Sequence, residues 1–449
     1  MYMKICKRSC FLVMLLLLVG CMNKEEVMTI EEAAQEVITL LQNEEYQKVS
    51  ESWFAEELQN SISVDDLAGD WEERTAGDEF IATRSFQTEN RTESLDIVEA
   101  TLEYTTTQFD VRMIFNQDRR LVGFHLSEGM MTVELPDSIL EEEITVGEGT
   151  KYELEGLLTL PVEMDDTVPA VVLVHGSGPS DRDEAVFAYK PFRDIAWGLA
   201  EQGIAVIRYD KRTFTHADEL IKDFGNRLTV FEETVEDAIR AAELAKADPR
   251  IDEERVFIVG HSLGGMLAPR IDVEGGGYAG LVILAGTPRP SWEVAYDQNR
   301  AAIQSQIKEE DEKEKQMKLA EEEYEKAKSL EEIGDEAAQD MTVFGMNGYY
   351  LKDMDKFDTR AWIDEMEKPI LILQGEDDFQ VYYDKDFTLW QELLSGKEQA
   401  TLISYPGLNH SFVAYEGPHK GTLAEYKVPG QVDDKVIQDI GEWILKQEK

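Results

Sequence analysis

Arg255-Val-Phe-Ile-Val-Gly-His-Ser-Leu-Gly-Gly265 decides how the rest of this chain reads. Val256 to Val259 is an apolar, mostly β-branched run, as expected of a strand buried on both faces. It runs into Gly260-His261-Ser262-Leu263-Gly264, a G-x-S-x-G pattern. In such a pattern the serine sits on a sharp strand-to-helix turn, its hydroxyl raised at the end of a sheet. Glycines two before and two after it keep the turn free of side-chain clashes. The helix that follows aims backbone N–H groups and the positive end of its dipole at the same spot. The five letters alone are a weak signal. The buried strand before them and the small-residue helix start behind them are what the motif requires.

A serine attacking a carbonyl needs a base for its proton, a group to hold that base, and donors for the oxyanion. Ser262 is the candidate nucleophile. Of six histidines, His410 lies in Tyr405-Pro-Gly-Leu-Asn-His410, directly after the strand-like run Thr401 to Ser404. His419, nine residues on, lacks that placement. His261 inside the turn and His175 at the end of an earlier strand read as residues that orient loops. The stretch Ile370-Leu-Ile-Leu-Gln-Gly-Glu-Asp-Asp-Phe-Gln-Val381 is a strand followed by a loop offering Glu376, Asp377 and Asp378 as the acid. The oxyanion donors expected are the N–H of Leu263 and an N–H of the glycine-rich loop His175-Gly-Ser-Gly178, that of Ser177. In the same loop Asp181, Arg182 and Asp183 suggest a local ion pair that fixes it. No spacing typical of a metal site occurs, and no cofactor is implied.

The ends of the chain add location. Lys4, Lys7 and Arg8 precede an apolar run, Phe11 to Val19, too short to span a bilayer comfortably. Leu18-Val19-Gly20-Cys21 then resembles the lipobox of bacterial lipoproteins. That resemblance implies a signal peptide over residues 1–20, a lipid on Cys21 and a polar tether over 21–28. The other two cysteines are Cys6 and Cys10, so a chain beginning at Cys21 has no intrachain disulfide. Acidic residues outnumber basic ones by 92 to 44, a net charge of −48. Loss of Lys4, Lys7 and Arg8 takes it from −48 to −51. Nucleic acid and anionic lipid surfaces would repel such a chain, so membrane contact is expected through the lipid alone. The charge suits a solvating surface in a salty or alkaline exterior. Oligomeric state leaves no mark in the sequence.

Between these landmarks the chain reads as two domains. Residues 29–126 form a small α+β domain. A capping box, Thr29-x-x-Glu32, precedes a first helix. A second helical piece carries Trp53, Phe54 and Leu58, and Ser63 caps a third through Leu67 and Trp71. Strands follow over Phe80–Thr88, Leu95–Thr106, Phe109–Phe115 and Leu121–Leu126, with a turn at Asn116-Gln-Asp-Arg119. Such a domain resembles the cystatin-like or nuclear-transport-factor-like cones that precede secreted bacterial hydrolases. His125, on an alternating strand, reads as a surface or packed residue. From 130 to 449, strands alternate with helices: Val168–Val174, helix Phe192–Ala200, Ala205–Tyr209, helix Thr234–Ala247, Leu281–Ala285, Ile370–Leu373, Thr401–Ser404 and a closing helix Val436–Lys446. That alternation predicts a mostly parallel sheet covered on both faces. Residues of about 288–367 interrupt it with a charged helical stretch, threaded by Ile303, Ile307, Met317, Ala320 and Tyr324, which reads as a cap over the site.

From about Leu135 onward the chain resembles the α/β-hydrolase superfamily. Within it, His175-Gly-Ser-Gly-Pro-Ser-Asp-Arg-Asp183 and Lys190-Pro-Phe-Arg-Asp-Ile-Ala196 are similar to bacterial carboxylesterases related to dienelactone hydrolases and acyl-peptidases. The family's acid loop, Gly-x-x-Asp-x-x-Val, falls on Gly375, Asp378 and Val381, and so implies Asp378 as the acid. Asp377, one step away, then caps the turn or faces solvent. The order Ser262, Asp378, His410 is the order of that fold. The fold expected is therefore an α/β hydrolase with a mostly parallel central sheet and a helical cap, preceded by a small α+β domain. The resemblance implies a membrane-tethered serine hydrolase that cleaves small-molecule carboxylic esters through an acyl-enzyme. A peptidase or amidase would use the same triad, but no β-propeller repeat precedes the domain. A binding lipoprotein working through its N-terminal domain would have no need for all three stations.

Overall fold

The computed structural model describes residues 28–75, 80–92, 95–104, 108–128, 135–164 and 166–447. The signal-peptide and lipobox readings, with Cys21, lie outside these residues. The chain separates into two compact units, one ending at Ser127 and the other beginning at Glu128.

In the first unit the helix Ile30–Gln42 starts with the expected capping box. The Thr29 hydroxyl accepts the Glu32 N–H at 3.2 Å, and the Glu32 carboxylate accepts the Thr29 N–H at 2.7 Å. The second helical piece is in fact two helices, Tyr46–Trp53 and Glu56–Ser61. Phe54 between them is extended, and the next N–H, of Ala55, donates to Leu121 O at 2.8 Å. A contact with the sheet thus replaces a helical hydrogen bond. Helix Val64–Thr75 follows, its Ser63 hydroxyl accepting the Asp66 N–H at 3.1 Å. Four strands, β1 (Phe80–Thr92), β2 (Leu95–Tyr104), β3 (Gln108–Asn116) and β4 (Leu121–Glu128), lie in sequence order. On β3 the side chains of Phe109, Val111, Met113 and Phe115 are buried at the spacing of two that places them on one face. They pack with Trp53 and Trp71 of the helices. His125 is exposed on β4.

Among its described residues the second unit holds an eight-stranded sheet: β5 (Ile139–Val146), β6 (Leu154–Pro161), β7 (Val168–Val174), β8 (Ala205–Tyr209), β9 (Ile251–His261), β10 (Leu281–Leu284), β11 (Ile370–Gly375) and β12 (Ala400–Tyr405). Their order across the sheet is β12-β11-β10-β9-β7-β8-β6-β5. Only the β5–β6 and β6–β8 pairs are antiparallel; the remaining pairs are parallel. The continuous apolar runs have a plain cause. On β9, Val256 and Ile258 enter the core under helices Glu236–Ala247 and Leu263–Ile271. Phe257 and Val259 enter the opposite core, under helices Pro191–Glu201 and Asp434–Lys446. A strand buried on both faces therefore reads as a near-continuous apolar run. The helix expected from Thr234 begins instead with a single π-turn, Phe231–Val235, before continuing as α-helix.

Between β10 and β11 lie helices Ser291–Gln306, Glu310–Lys328, Gly348–Met354 and Thr359–Glu365 and a two-residue-per-strand hairpin, Thr342–Val343 with Met346–Asn347. The apolar thread read across this region is broken at Ile307, whose backbone is extended. Glu310, Asp311 and Glu312 open the next helix, where its dipole favours negative charge. The segment has a small core of its own, with Trp292, Ala327, Leu330, Val343 and Leu351.

Candidate active site

Ser262 sits between β9 and helix Leu263–Ile271 with φ 52° and ψ −112°. Positive φ on a residue with a Cβ costs on the order of 1–3 kcal/mol, and such strain persists only where its surroundings enforce it. Here the Ser262 N–H donates to Leu284 O of β10 at 2.8 Å. A Cβ on Gly260 would lie 2.2 Å from Gly264 O, and one on Gly264 would lie 2.1 Å from Val174 O. Only glycine fits at either station, so the turn can be this tight.

His410 follows β12 and is 5% exposed. Its Nδ1 lies 2.7 Å from Asp378 Oδ2. Asp378 Oδ1 accepts the N–H groups of Gln380 at 2.8 Å and Val381 at 2.9 Å, and Gln374 Nε2 donates to Oδ2 at 2.9 Å. The carboxylate is thus held at both oxygens, Nδ1–H is the donor, and Nε2 is left free to accept a proton. Asp377 instead pairs with Lys420 at 2.9 Å, and Glu376 accepts the Ser404 hydroxyl at 2.8 Å. His419 is exposed. Ser262 and His410 border one cavity of about 310 Å³. Only the His410–Asp378 half is hydrogen-bonded: among the described residues no hydrogen bond joins Ser262 Oγ to the ring, and in such sites that bond tightens with substrate in place.

Leu263 is the first residue of its helix, where an N–H has no intrahelical acceptor. It borders a cavity with Ser177 and Ser262. A neighbouring space of about 410 Å³ is lined by Ser177 and Leu263 together with Leu228, Met346, Tyr350 and Met354. The last three belong to the helical segment between β10 and β11, so that segment shapes the site.

The glycine-rich loop is anchored by ion pairs, but not by a local one. Arg182 makes two hydrogen bonds to the Asp210 carboxylate, at 2.9 and 2.8 Å, and one to Glu155 at 2.9 Å. Asp183 pairs with Arg208 at 3.1 Å and Lys190 at 3.2 Å. Three consecutive side chains cannot pair with each other as well as with neighbours that converge on them from other elements. Asp181 holds the loop through the backbone, accepting the N–H groups of Asp183 and Ala185. His175 Nε2 donates to Asp181 O at 3.0 Å, and burial pushes its pKa down to about 4, keeping it neutral.

His261 does more than the sequence suggests. Its Nε2 lies 3.0 Å from His410 O, and a carbonyl only accepts, so Nε2 carries a proton. Its Nδ1 lies 2.9 Å from Glu184 Oε2, in ion-pair contact but off the line of a straight hydrogen bond. A second lone pair facing a carboxylate at that distance would repel it, so the pair holds another proton. Burial works against charge on His261, but the Glu184 carboxylate and the His410 carbonyl outweigh it and hold the pKa above its ordinary 6.5. Burial likewise opposes charge on Glu184, yet His261 holds its pKa below the ordinary 4.5. The signs fix a pH window. The raised histidine contributes stability below pH 6.5 that is lost as pH climbs through its folded pKa. The lowered carboxylate contributes above pH 4.5 and is lost as pH falls through its own. Glu184→Gln keeps an acceptor but not the charge. The wild-type advantage in Tm over this variant is expected to peak between pH 4.5 and 6.5 and to shrink on both sides. A difference that stayed flat with pH in melting curves would refute a charged pair.

Glu184, Gln374 and Lys211 carry no local sequence signal of a role at this site. Glu184 adjoins Asp181–Asp183, but its partner lies 77 residues away at His261, and no spacing rule joins them.

A model described as the alpha/beta hydrolase family matches residues 171–424, and one described as a protein of unknown function, DUF3887, matches residues 34–124. Esterase EstD of Thermotoga maritima is 35% identical over 353 residues, covering 78% of this chain and 80% of EstD. Among solved structures, Est1E from Butyrivibrio proteoclasticus aligns at a TM-score of 0.43 and 15% identity, over 68% of this chain and 99% of Est1E. A dienelactone hydrolase from Anabaena variabilis aligns at 0.38 and 18%, over 70% of this chain and 100% of that one.

Proposed function

This chain belongs to the alpha/beta hydrolase family, and on that premise we propose that it is a carboxylesterase acting through Ser262, His410 and Asp378. The observation that carries the reading is the 2.7 Å contact of His410 Nδ1 with Asp378, with His410 and the strained Ser262 bordering one cavity. Ser262 Oγ attacks the ester carbonyl carbon while His410 Nε2 takes the hydroxyl proton. Asp378 keeps Nδ1 protonated and offsets the charge of the imidazolium. The negative oxygen of the tetrahedral intermediate rests on the N–H groups of Leu263 and Ser177, donors each worth about 10²–10³ in kcat in such sites. His410 then gives its proton to the departing alcohol. Water, deprotonated by the same ring, attacks the acyl-enzyme and releases the acid. An ester rather than an amide is favoured by the 35% identical relative, itself named an esterase. The test compares kcat/KM on p-nitrophenyl butyrate and on the matching butyryl anilide. A strong preference for the ester is expected, and a preference for the anilide would overturn the reading.

The location we propose is extracytoplasmic, with Cys21 carrying the lipid anchor. A single acyl chain gives only marginal attachment, so a stable anchor needs more than one. Cys21→Ala is expected to leave the protein unprocessed or to release it from membranes. Unchanged membrane retention after correct cleavage, read by fractionation and N-terminal sequencing, would count against lipidation.

A further inference from the structure

Lys211 follows β8 in Tyr209-Asp-Lys-Arg212 and is 2% exposed. Lysine is almost never this buried without a partner. Its ammonium lies 2.6 Å from Glu233 Oε1 and donates to Gly176 O at 2.8 Å. Replacing a buried ion pair by apolar groups is often neutral or stabilising, so stability alone is a weak reason for this one. What the ammonium holds is more informative.

Gly176 O and the Ser177 N–H belong to one peptide unit. No peptide in the described chain is cis. In a planar trans unit the C=O and N–H leave from opposite edges, so fixing one direction fixes the other. On its other side, the Gly176 N–H donates to Glu184 Oε1 at 2.6 Å. Buried charged groups therefore grip Gly176 at both its N–H and its C=O. The nucleophile is close: a Cβ on Gly176 would stand 3.2 Å from Ser262 Cβ. Ser177 N–H itself finds no acceptor among the described residues.

We propose that Lys211 is a positioning residue for the oxyanion hole. By holding the Gly176 carbonyl it aims the Ser177 N–H, through the shared peptide plane, at the oxygen that becomes negative. The proposal rests on the reading of this site as a serine esterase with Ser177 as a donor. Lys211 touches no reacting atom, so its loss acts on the transition state and spares substrate binding.

The experiment compares Lys211→Met with the double variant Lys211→Met/Glu233→Gln, by thermal melting, by kcat and KM on p-nitrophenyl butyrate, and by Ki for an alkylboronic acid. The boronate forms a tetrahedral adduct with the serine and needs the oxyanion donors. Lys211→Met leaves the buried Glu233 carboxylate without its counter-charge, so its Tm falls. The double variant removes both charges and recovers Tm. For both, kcat is expected to fall by about 10²-fold, near the value of one oxyanion donor. In Lys211→Met KM should stay within about threefold, and Ki should rise in parallel with the loss in kcat/KM. Recovery of kcat together with Tm in the double variant would mean that Lys211 only neutralises Glu233, and would overturn the proposal. Unchanged kcat in Lys211→Met would do the same. A wild-type protein that neither turns over the ester nor binds the boronate would instead bring down the esterase reading, and the proposal with it.

Discussion

Ser262→Ala is expected to lower kcat by about 10⁶ on a soluble ester, because members of a triad act as a unit and loss of the nucleophile forfeits the whole route. What remains, roughly 10³–10⁴ over water in comparable enzymes, comes from the oxyanion donors and substrate binding. The fold should be indifferent. Alanine carries the same Cβ into the same φ of 52°, so the strain at the elbow is unchanged. The Ser262 N–H bond to Leu284 is a backbone bond and survives. Melting temperature close to wild type together with a collapsed kcat is therefore the expected pair of results. A variant still turning over p-nitrophenyl butyrate near the wild-type rate would remove Ser262 from the mechanism.

Asp378→Asn is expected to cost about 10⁴ in kcat, the size of the loss when a serine-protease aspartate becomes asparagine. The local hydrogen bonds say how. Asp378 Oδ1 accepts two backbone N–H groups, from Gln380 and Val381. An asparagine carbonyl must take that place, since an amide nitrogen cannot accept. The NH₂ group then occupies the position of Oδ2, facing His410 Nδ1 and the Gln374 amide donor. His410 Nδ1 becomes an acceptor, its proton moves to Nε2, and the ring can no longer take a proton from Ser262. Asp377→Asn, by contrast, weakens only a partly exposed pair with Lys420 and is expected to stay within about tenfold of wild type. Steady-state kinetics of both variants, with circular dichroism to confirm folding, decides between them. A crippled Asp377→Asn beside a near-normal Asp378→Asn would shift the acid by one residue.

Much of this architecture is legible in one sequence because burial on both faces leaves a strand few polar choices. β7 and β10 announce themselves in this way, and so do β8 and β11 apart from the buried Arg208 and Gln374, whose polar groups are bonded to Asp183 and Asp378. β9 is longer than its apolar run because Asp252-Glu-Glu-Arg255 extends the strand beyond the buried core. The break at Phe54 was hidden, since an aromatic residue fits a helix as readily as a contact with β4. The break at Ile307 was hidden too, because the helical spacing of apolar residues carries on across it. At the site, the triad stations are local signals, each a side chain just past a strand end. The network behind them is not local. Lys211 follows β8, Gly176 and Glu184 lie in the loop after β7, and His261 ends β9, and only the parallel sheet, which brings these strand ends together, places them in contact.

In the proposed mechanism everything depends on Ser262 being the nucleophile of an acyl-transfer site. The most direct measurement is reaction of the wild-type protein with a fluorophosphonate, followed by mass spectrometry of its peptides. One adduct is expected, on the serine of Gly260-His261-Ser262-Leu263-Gly264, with loss of esterase activity in step with labelling and no adduct on Ser262→Ala. Full inactivation with the label on another residue, or an active esterase that takes no label, would contradict that mechanism.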